Sequence, residues 1–210
     1  CLVGSEMCIR DRAMTHARRA LAAASAVQSI EAAERPEPTQ RRASKRASIP
    51  AAKDWQARIV DAATPAQRPA VVLLWATGCR PAEIGKGVDI GRDNKGRLMV
   101  VIPGAKVREE HGAGQPVRRL LIDETSPAGI ALAEILGDAE RLTVKRAATR
   151  LNKDFADIRR KVGGTASPYS MRHQVAADLK VSMEAEDVAA ALGHRVTRSQ
   201  ARYGSTQQVK

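Results

Sequence analysis

The stretch TGCRPAEI, residues 77–84, decides how the rest of the chain is read. It follows the apolar run Ala70–Ala76, which predicts a helix over about 66–76 that is apolar nearly all round and therefore buried. Gly78 suits the left-handed residue that ends such a helix. Pro81 suits the first turn of a new one, where its missing N–H costs nothing. Arg80 is thereby held at a joint between two helices, where a ligand can reach it. A guanidinium fork matches pairs of phosphate oxygens and stays charged at any relevant pH.

Three further words follow in order: YSMRH at 169–173, LGH at 192–194, and Tyr203, one of two tyrosines in the chain. Arg172 lies on a predicted helix start, and with Arg80 it forms a pair able to clamp the non-bridging oxygens of one phosphate. Such a clamp stabilises charge that develops in a pentacoordinate transition state. His194, on a Gly-His turn, can hydrogen-bond a phosphate or shuttle a proton. Tyr203 supplies a nucleophilic oxygen. A free phenol has a pKa of about 10, and nearby positive charge favours its ionised form. The displaced oxygen then needs an acid. Lys106 in PGAKV, 103–107, at the end of a predicted strand, is the candidate, and Lys95 in the preceding turn is the competitor.

Composition agrees with a polyanionic partner. The 210 residues carry a formal net charge of +12, a balance that suits nucleic acid. Hydrophobic residues make up 43% and aromatics only 2%, so the core is built from Ala, Val, Leu and Ile. No stretch approaches the roughly 20 apolar residues of a membrane span. Cys1, Cys8 and Cys79 form no CxxC pair and no zinc spacing, which fits a reducing compartment, and Cys79 reads as a packing residue.

Residues 1–12, CLVGSEMCIRDR, resemble translated adapter sequence and are set aside as an artefactual leader. Residues 13–47 form a second segment: an Ala-rich helix over 13–34, then a Pro-containing basic linker. In that linker Arg41, Arg42, Lys45 and Arg46 either track DNA or tether the domain in solvent. The globular part is expected over 48–210. Ser48 caps its first helix, and Trp55, Ile59 and Ala62 or Ala63 recur at helical spacing.

Residues 88–90, 98–102 and 117–122 read as three short strands, with a turn at Asp93–Gly96 and a polar loop at 108–115. Val144, Ala148, Leu151, Phe155, Ile158 and Val162 predict one amphipathic helix. Its other face carries Lys145, Arg146, Arg150, Lys153, Arg159, Arg160 and Lys161. Further helices fit about 168–180, 184–191 and 197–203. The expected class is α+β, mainly α, with a small three-stranded antiparallel sheet.

These words together resemble the catalytic domain of the tyrosine recombinases, the phage-integrase family. That family joins an Arg in a TGxRxxE word, a hairpin Lys, an HxxR word, an LGH word and a Tyr. TGCRPAE matches the first word at Thr77, Gly78, Arg80 and Glu83, Lys106 falls at the hairpin position, and LGH with Tyr203 matches the close.

The resemblance implies that Arg80, Lys106, Tyr169, Arg172, His194 and Tyr203 form the catalytic set, with Glu83 bracing Arg80. Tyr203 would attack a DNA phosphate, make a 3′-phosphotyrosyl link and release a 5′-OH protonated by Lys106. It further implies no metal or other cofactor, double-stranded DNA as substrate, a homotetramer on two DNA sites, and a cytoplasmic, nucleoid-associated protein.

One position departs from the family: Tyr169 stands where it usually has His. Its hydroxyl can donate to phosphate but lacks an imidazole's acid–base range. His173 reads as a packing residue. The short segment ahead of 48, and the seven residues after Tyr203, imply weak DNA affinity and poor assembly for the chain as given. A type IB topoisomerase-like enzyme and a catalytically inactive DNA-binding module both stay open as alternatives. RNA binding lacks the aromatic surface for base stacking.

Overall fold

The computed structural model describes residues 49–107 and 114–195. Tyr203, the four basic residues of the linker, and the helices expected at 13–34 and 197–203 lie outside the described residues.

Seven helices and four strands are described. In chain order they are α1 (Trp55–Ala62), α2 (Arg68–Thr77), α3 (Pro81–Lys86), β1 (Val88–Arg92), β2 (Leu98–Pro103), β3 (Val117–Leu121), α4 (Pro127–Leu136), β4 (Arg141–Val144), α5 (Ala148–Val162), α6 (Pro168–Ser182) and α7 (Ala185–Ala191).

Helix starts follow the prolines. Pro81, Pro127 and Pro168 each open a helix. Ser126 and Ser167 cap two of these, accepting from the backbone N–H of Gly129 and Ser170 at 3.1 and 3.3 Å. A serine cap of this kind stabilises by about 1 kcal/mol. Helix α2 is the buried rod expected from its sequence, with Val71, Val72, Leu73 and Leu74 fully buried, and it packs on α4 and α6.

The sheet is antiparallel with strand order β3-β2-β1-β4. Along β2, Leu98, Val100 and Ile102 point into the core while the residues between them are half-buried, the alternation of a one-sided sheet. The β1–β2 turn is set by Asp93, whose carboxylate accepts from the backbone N–H of Lys95 and Arg97, both at 2.9 Å, and by Gly96 at φ +75°.

Three expectations are corrected. The sheet has four strands, because β4 pairs with β1 across more than 40 residues of chain. Val144 belongs to β4 and not to the following helix, which begins at Ala148; its apolar side chain fits a buried strand end as well as a helical spacing. The first helix begins at Trp55, with residues 49–54 in bends and turns, although Trp55 and Ile59 are buried as expected. Helix α4 is an element that periodicity alone left unassigned.

The basic face of α5 is also partly structural. Arg146 binds the buried Asp154 through Nε and Nη2, and Gln67 donates to the same carboxylate at 3.2 Å. Arg159 and Lys161 donate to the carbonyls of Ala166 and Ala62.

Candidate active site

Thr77 closes α2. Its hydroxyl donates to the Leu73 carbonyl at 2.6 Å and accepts from the Cys79 N–H at 3.2 Å. Gly78 then turns the chain at φ +58°, and a Cβ there would come within 3.1 Å of Val175 on α6. Only glycine permits both the left-handed turn and this close approach. The Cys79 thiol is fully buried, and burial pushes its pKa up to about 11, so it packs and does not react.

The next residue, Arg80, caps α3. Glu83 reaches back to accept from its backbone N–H at 2.7 Å, the carboxylate half of a capping box. The same carboxylate accepts from Arg80 Nη1 at 2.7 Å. The remaining guanidinium donors of Arg80 have no partner among the described residues.

Arg172, on the second turn of α6, is fully buried. Its Nη1 donates to the Gly78 carbonyl at 2.6 Å and its Nη2 to the Leu192 carbonyl at 2.7 Å. Nη2 also lies 3.3 Å from Nε2 of His194. Arg172 thus joins the TGCR joint to the LGH turn.

The turn itself is made by Gly193 at φ +73°, and the His194 N–H donates to the Ala189 carbonyl at 2.8 Å. Burial pushes the His194 pKa down, and the charges of Arg172, Arg80 and Arg118 push it further, to about 4. The ring is therefore neutral near neutral pH.

The hairpin reaches the same place. Gln115, just before β3, donates from its side chain to the Ala190 and His194 carbonyls at 3.2 and 3.1 Å. Lys86 at the end of α3 donates to the Gly104 carbonyl at 2.5 Å. Lys106 lies on this loop, exposed, three residues beyond β2, and its carbonyl meets Gly114 so closely that a Cβ there would sit 2.0 Å away. Lys95 lies at the opposite end of β2, whose length at about 3.3 Å per residue separates the two lysines by about 20 Å. Tyr169 stands on the first turn of α6, one helical turn from Arg172, with 37% of its surface exposed. His173 is buried, as its packing role requires.

Arg118 is the residue that motif reading missed. It is buried on β3 and donates to both oxygens of Glu83, at 3.0 and 2.8 Å. Burial alone would raise the Glu83 pKa, but the hydrogen bonds and charge of Arg118, then those of Arg80, bring it down to about 2. The signal was present in VRRLLI: strand alternation puts Arg118 on the inward face with Leu120. Among Arg80, Glu83, Arg118, Arg172 and His194, one carboxylate holds two guanidiniums, and the third, Arg172, lies against backbone carbonyls and a neutral imidazole. Such an excess of buried positive charge is costly until an anion meets it.

No family model matches this sequence, and no curated protein does. Among solved structures, XerA recombinase is similar with a TM-score of 0.54 and 18% identity, over 72% of this chain and 58% of that one. An integrase of transposon Tn1549, in complex with a circular intermediate DNA, is similar with a TM-score of 0.52 and 15% identity, over 74% of this chain and 61% of that one. The chain shares their fold. It spans less than two thirds of the length of either protein.

Proposed function

We propose that this chain is the catalytic part of a site-specific DNA recombinase that cuts and rejoins strands through a 3′-phosphotyrosyl intermediate. The observation that carries the reading is the convergence of Arg80, Arg172 and His194, from three separate segments, in a buried electropositive cluster where Arg80 keeps donors that meet no partner among the described residues. The fold it shares with a recombinase and a transposon integrase supports the same reading.

In this mechanism Arg80 and Arg172 hold the scissile phosphate, and its charge raises the proton affinity of His194, which then donates to a phosphate oxygen. Arg172 must exchange at least one carbonyl partner for the phosphate. Tyr203, ionised beside these arginines with its phenolic proton released to solvent, attacks phosphorus; the bond to the 5′ oxygen breaks as that oxygen takes a proton from Lys106, and a 5′-OH from another strand reverses the step. Tyr169 donates a hydrogen bond to the phosphate. The basic residues 41, 42, 45 and 46 track the backbone of the duplex. The enzyme acts as a homotetramer on two DNA sites, in the cytoplasm at the nucleoid, in the movement of a mobile element.

Tyr169 in place of a histidine favours a second reading, a DNA-binding module without strand-cutting activity. A supercoiled plasmid carrying two copies of the DNA flanking the gene separates the possibilities. Recombined products support the proposal, and relaxed circles without recombinants indicate topoisomerase-like chemistry. An unchanged plasmid, with salt-dependent binding, supports the inactive module.

A further inference from the structure

Arg118 holds a position that the chemistry of phosphate transfer alone does not require. The residue is 5% exposed, and its guanidinium spends both Nη atoms on Glu83. Glu83, fully buried, is the carboxylate that holds both the backbone N–H and the Nη1 of Arg80. The two arginines therefore share one carboxylate, and the direction in which Arg80 presents its remaining donors depends on where Arg118 holds Glu83.

The other side of Arg118 faces the LGH turn. A Cβ on Gly193 would lie 2.6 Å from Arg118 Nη1 and 3.2 Å from Cζ, so the backbone that carries His194 rests against the guanidinium. Arg118 sits on β3 opposite Ile102 of β2, within the hairpin that also bears Lys106. It is thus packed between the joint carrying Arg80, the hairpin and the histidine turn.

We propose that Arg118 is a positioning residue for this site: it fixes Glu83 against Arg80 and backs the Gly193–His194 turn, so that one guanidinium sets both the arginine donors and the imidazole. The proposal rests on the recombinase reading for its kinetic consequence and on the geometry and charge of the cluster for its electrostatic one. A neutral side chain at 118 leaves Arg80 as the one ion-pair partner of Glu83 among the described residues and removes one of the charges that hold the His194 ring neutral. A lysine restores the charge but loses the planar two-point grip.

The test compares Arg118→Met and Arg118→Lys with Arg119→Met, a control on the exposed face of the same strand. Single-turnover cleavage of a nicked suicide duplex, taken from the DNA flanking the gene, is measured at saturating duplex, and duplex affinity is measured separately. Cleavage is expected to slow by about 100-fold in Arg118→Met, the scale of a misplaced reacting group, and to recover about tenfold in Arg118→Lys, with affinity nearly unchanged. Cleavage at saturation equal to the parent in both variants overturns the proposal, as does a loss that lies wholly in affinity.

The His194 ring titration is read by NMR in the same proteins without DNA. It is expected to move upward in Arg118→Met, to return toward the parent in Arg118→Lys, and to stay put in the control. A titration unmoved in Arg118→Met overturns the proposal. When the parent forms no covalent adduct, the recombinase reading falls and the ring titration decides the role of Arg118 by itself.

Discussion

Arg172 Nη2 stands 3.3 Å from His194 Nε2, and a guanidinium can only donate. The ring therefore accepts at Nε2 and carries its proton on Nδ1, so the imidazole is neutral and its tautomer is fixed by the arginine. Under the proposed mechanism this histidine starts as an acceptor and becomes a donor to phosphate once an anion draws Arg172 away or compensates its charge.

That arrangement makes the protein acid-sensitive. The His194 pKa falls from 6.5 to about 4 on folding, because burial and the charges of Arg172, Arg80 and Arg118 disfavour the imidazolium. Above pH 6.5 both folded and unfolded chains hold the ring neutral and the contribution is fully present. As pH falls toward 4 the unfolded chain takes up the proton first, and about 3 kcal/mol of stability is lost at about 1.4 kcal/mol per pKa unit. Glu83, at about 2 against 4.5, extends the loss below that window. Urea unfolding from pH 7 to 4 is expected to show the decline, and His194→Gln is expected to flatten its upper part.

Gly78 is expected to be intolerant of any side chain. Its φ of +58° is a left-handed backbone, and an added Cβ would lie 3.1 Å from Val175, which would have to shift by a few tenths of an ångström. Gly78→Ala should cost about 1–3 kcal/mol in urea unfolding. It should also loosen Arg172, whose Nη1 is bound to the Gly78 carbonyl.

Asp154 is the anchor of the β4–α5 connection. Its buried carboxylate is held by Arg146 and Gln67, and Arg150 reaches it from an exposed position at 3.4 Å. Asp154→Ala leaves Arg146 with the Ala66 carbonyl but without its anion, and is expected to destabilise by about 1–3 kcal/mol. Arg150→Ala removes a solvent-screened partner and should cost under about 1 kcal/mol. Thermal unfolding of the two variants side by side checks the ranking.

Much of this architecture is legible in the sequence because local rules agree with the fold. Gly78, Pro81 and the Asp93–Gly96 turn act within four residues of themselves, so their outcomes follow from short-range sterics and hydrogen bonds. The strand β4 is another matter. Arg141–Val144 has four residues, and it becomes a strand only because β1 offers its free edge, a contact that no local pattern encodes.

The candidate site divides the same way. Arg80, Arg172 and His194 are visible as words in the chain. Arg118 is visible only as a charge on the wrong face of a strand, a violation that makes sense once Glu83 is seen across from it. Glu83 reads in sequence as a brace for one arginine and proves to hold two.

The most direct measurement is covalent capture. The natural protein is mixed with nicked suicide duplexes from the DNA flanking its gene, and adducts are resolved on denaturing gels beside Tyr203→Phe and Arg80→Ala. A protease-sensitive protein–DNA adduct is expected from the parent, absent in Tyr203→Phe and strongly reduced in Arg80→Ala. An adduct that persists in Tyr203→Phe, or salt-dependent binding of the same duplexes without any adduct, would contradict the assignment of Tyr203 as the nucleophile of a strand-exchanging enzyme.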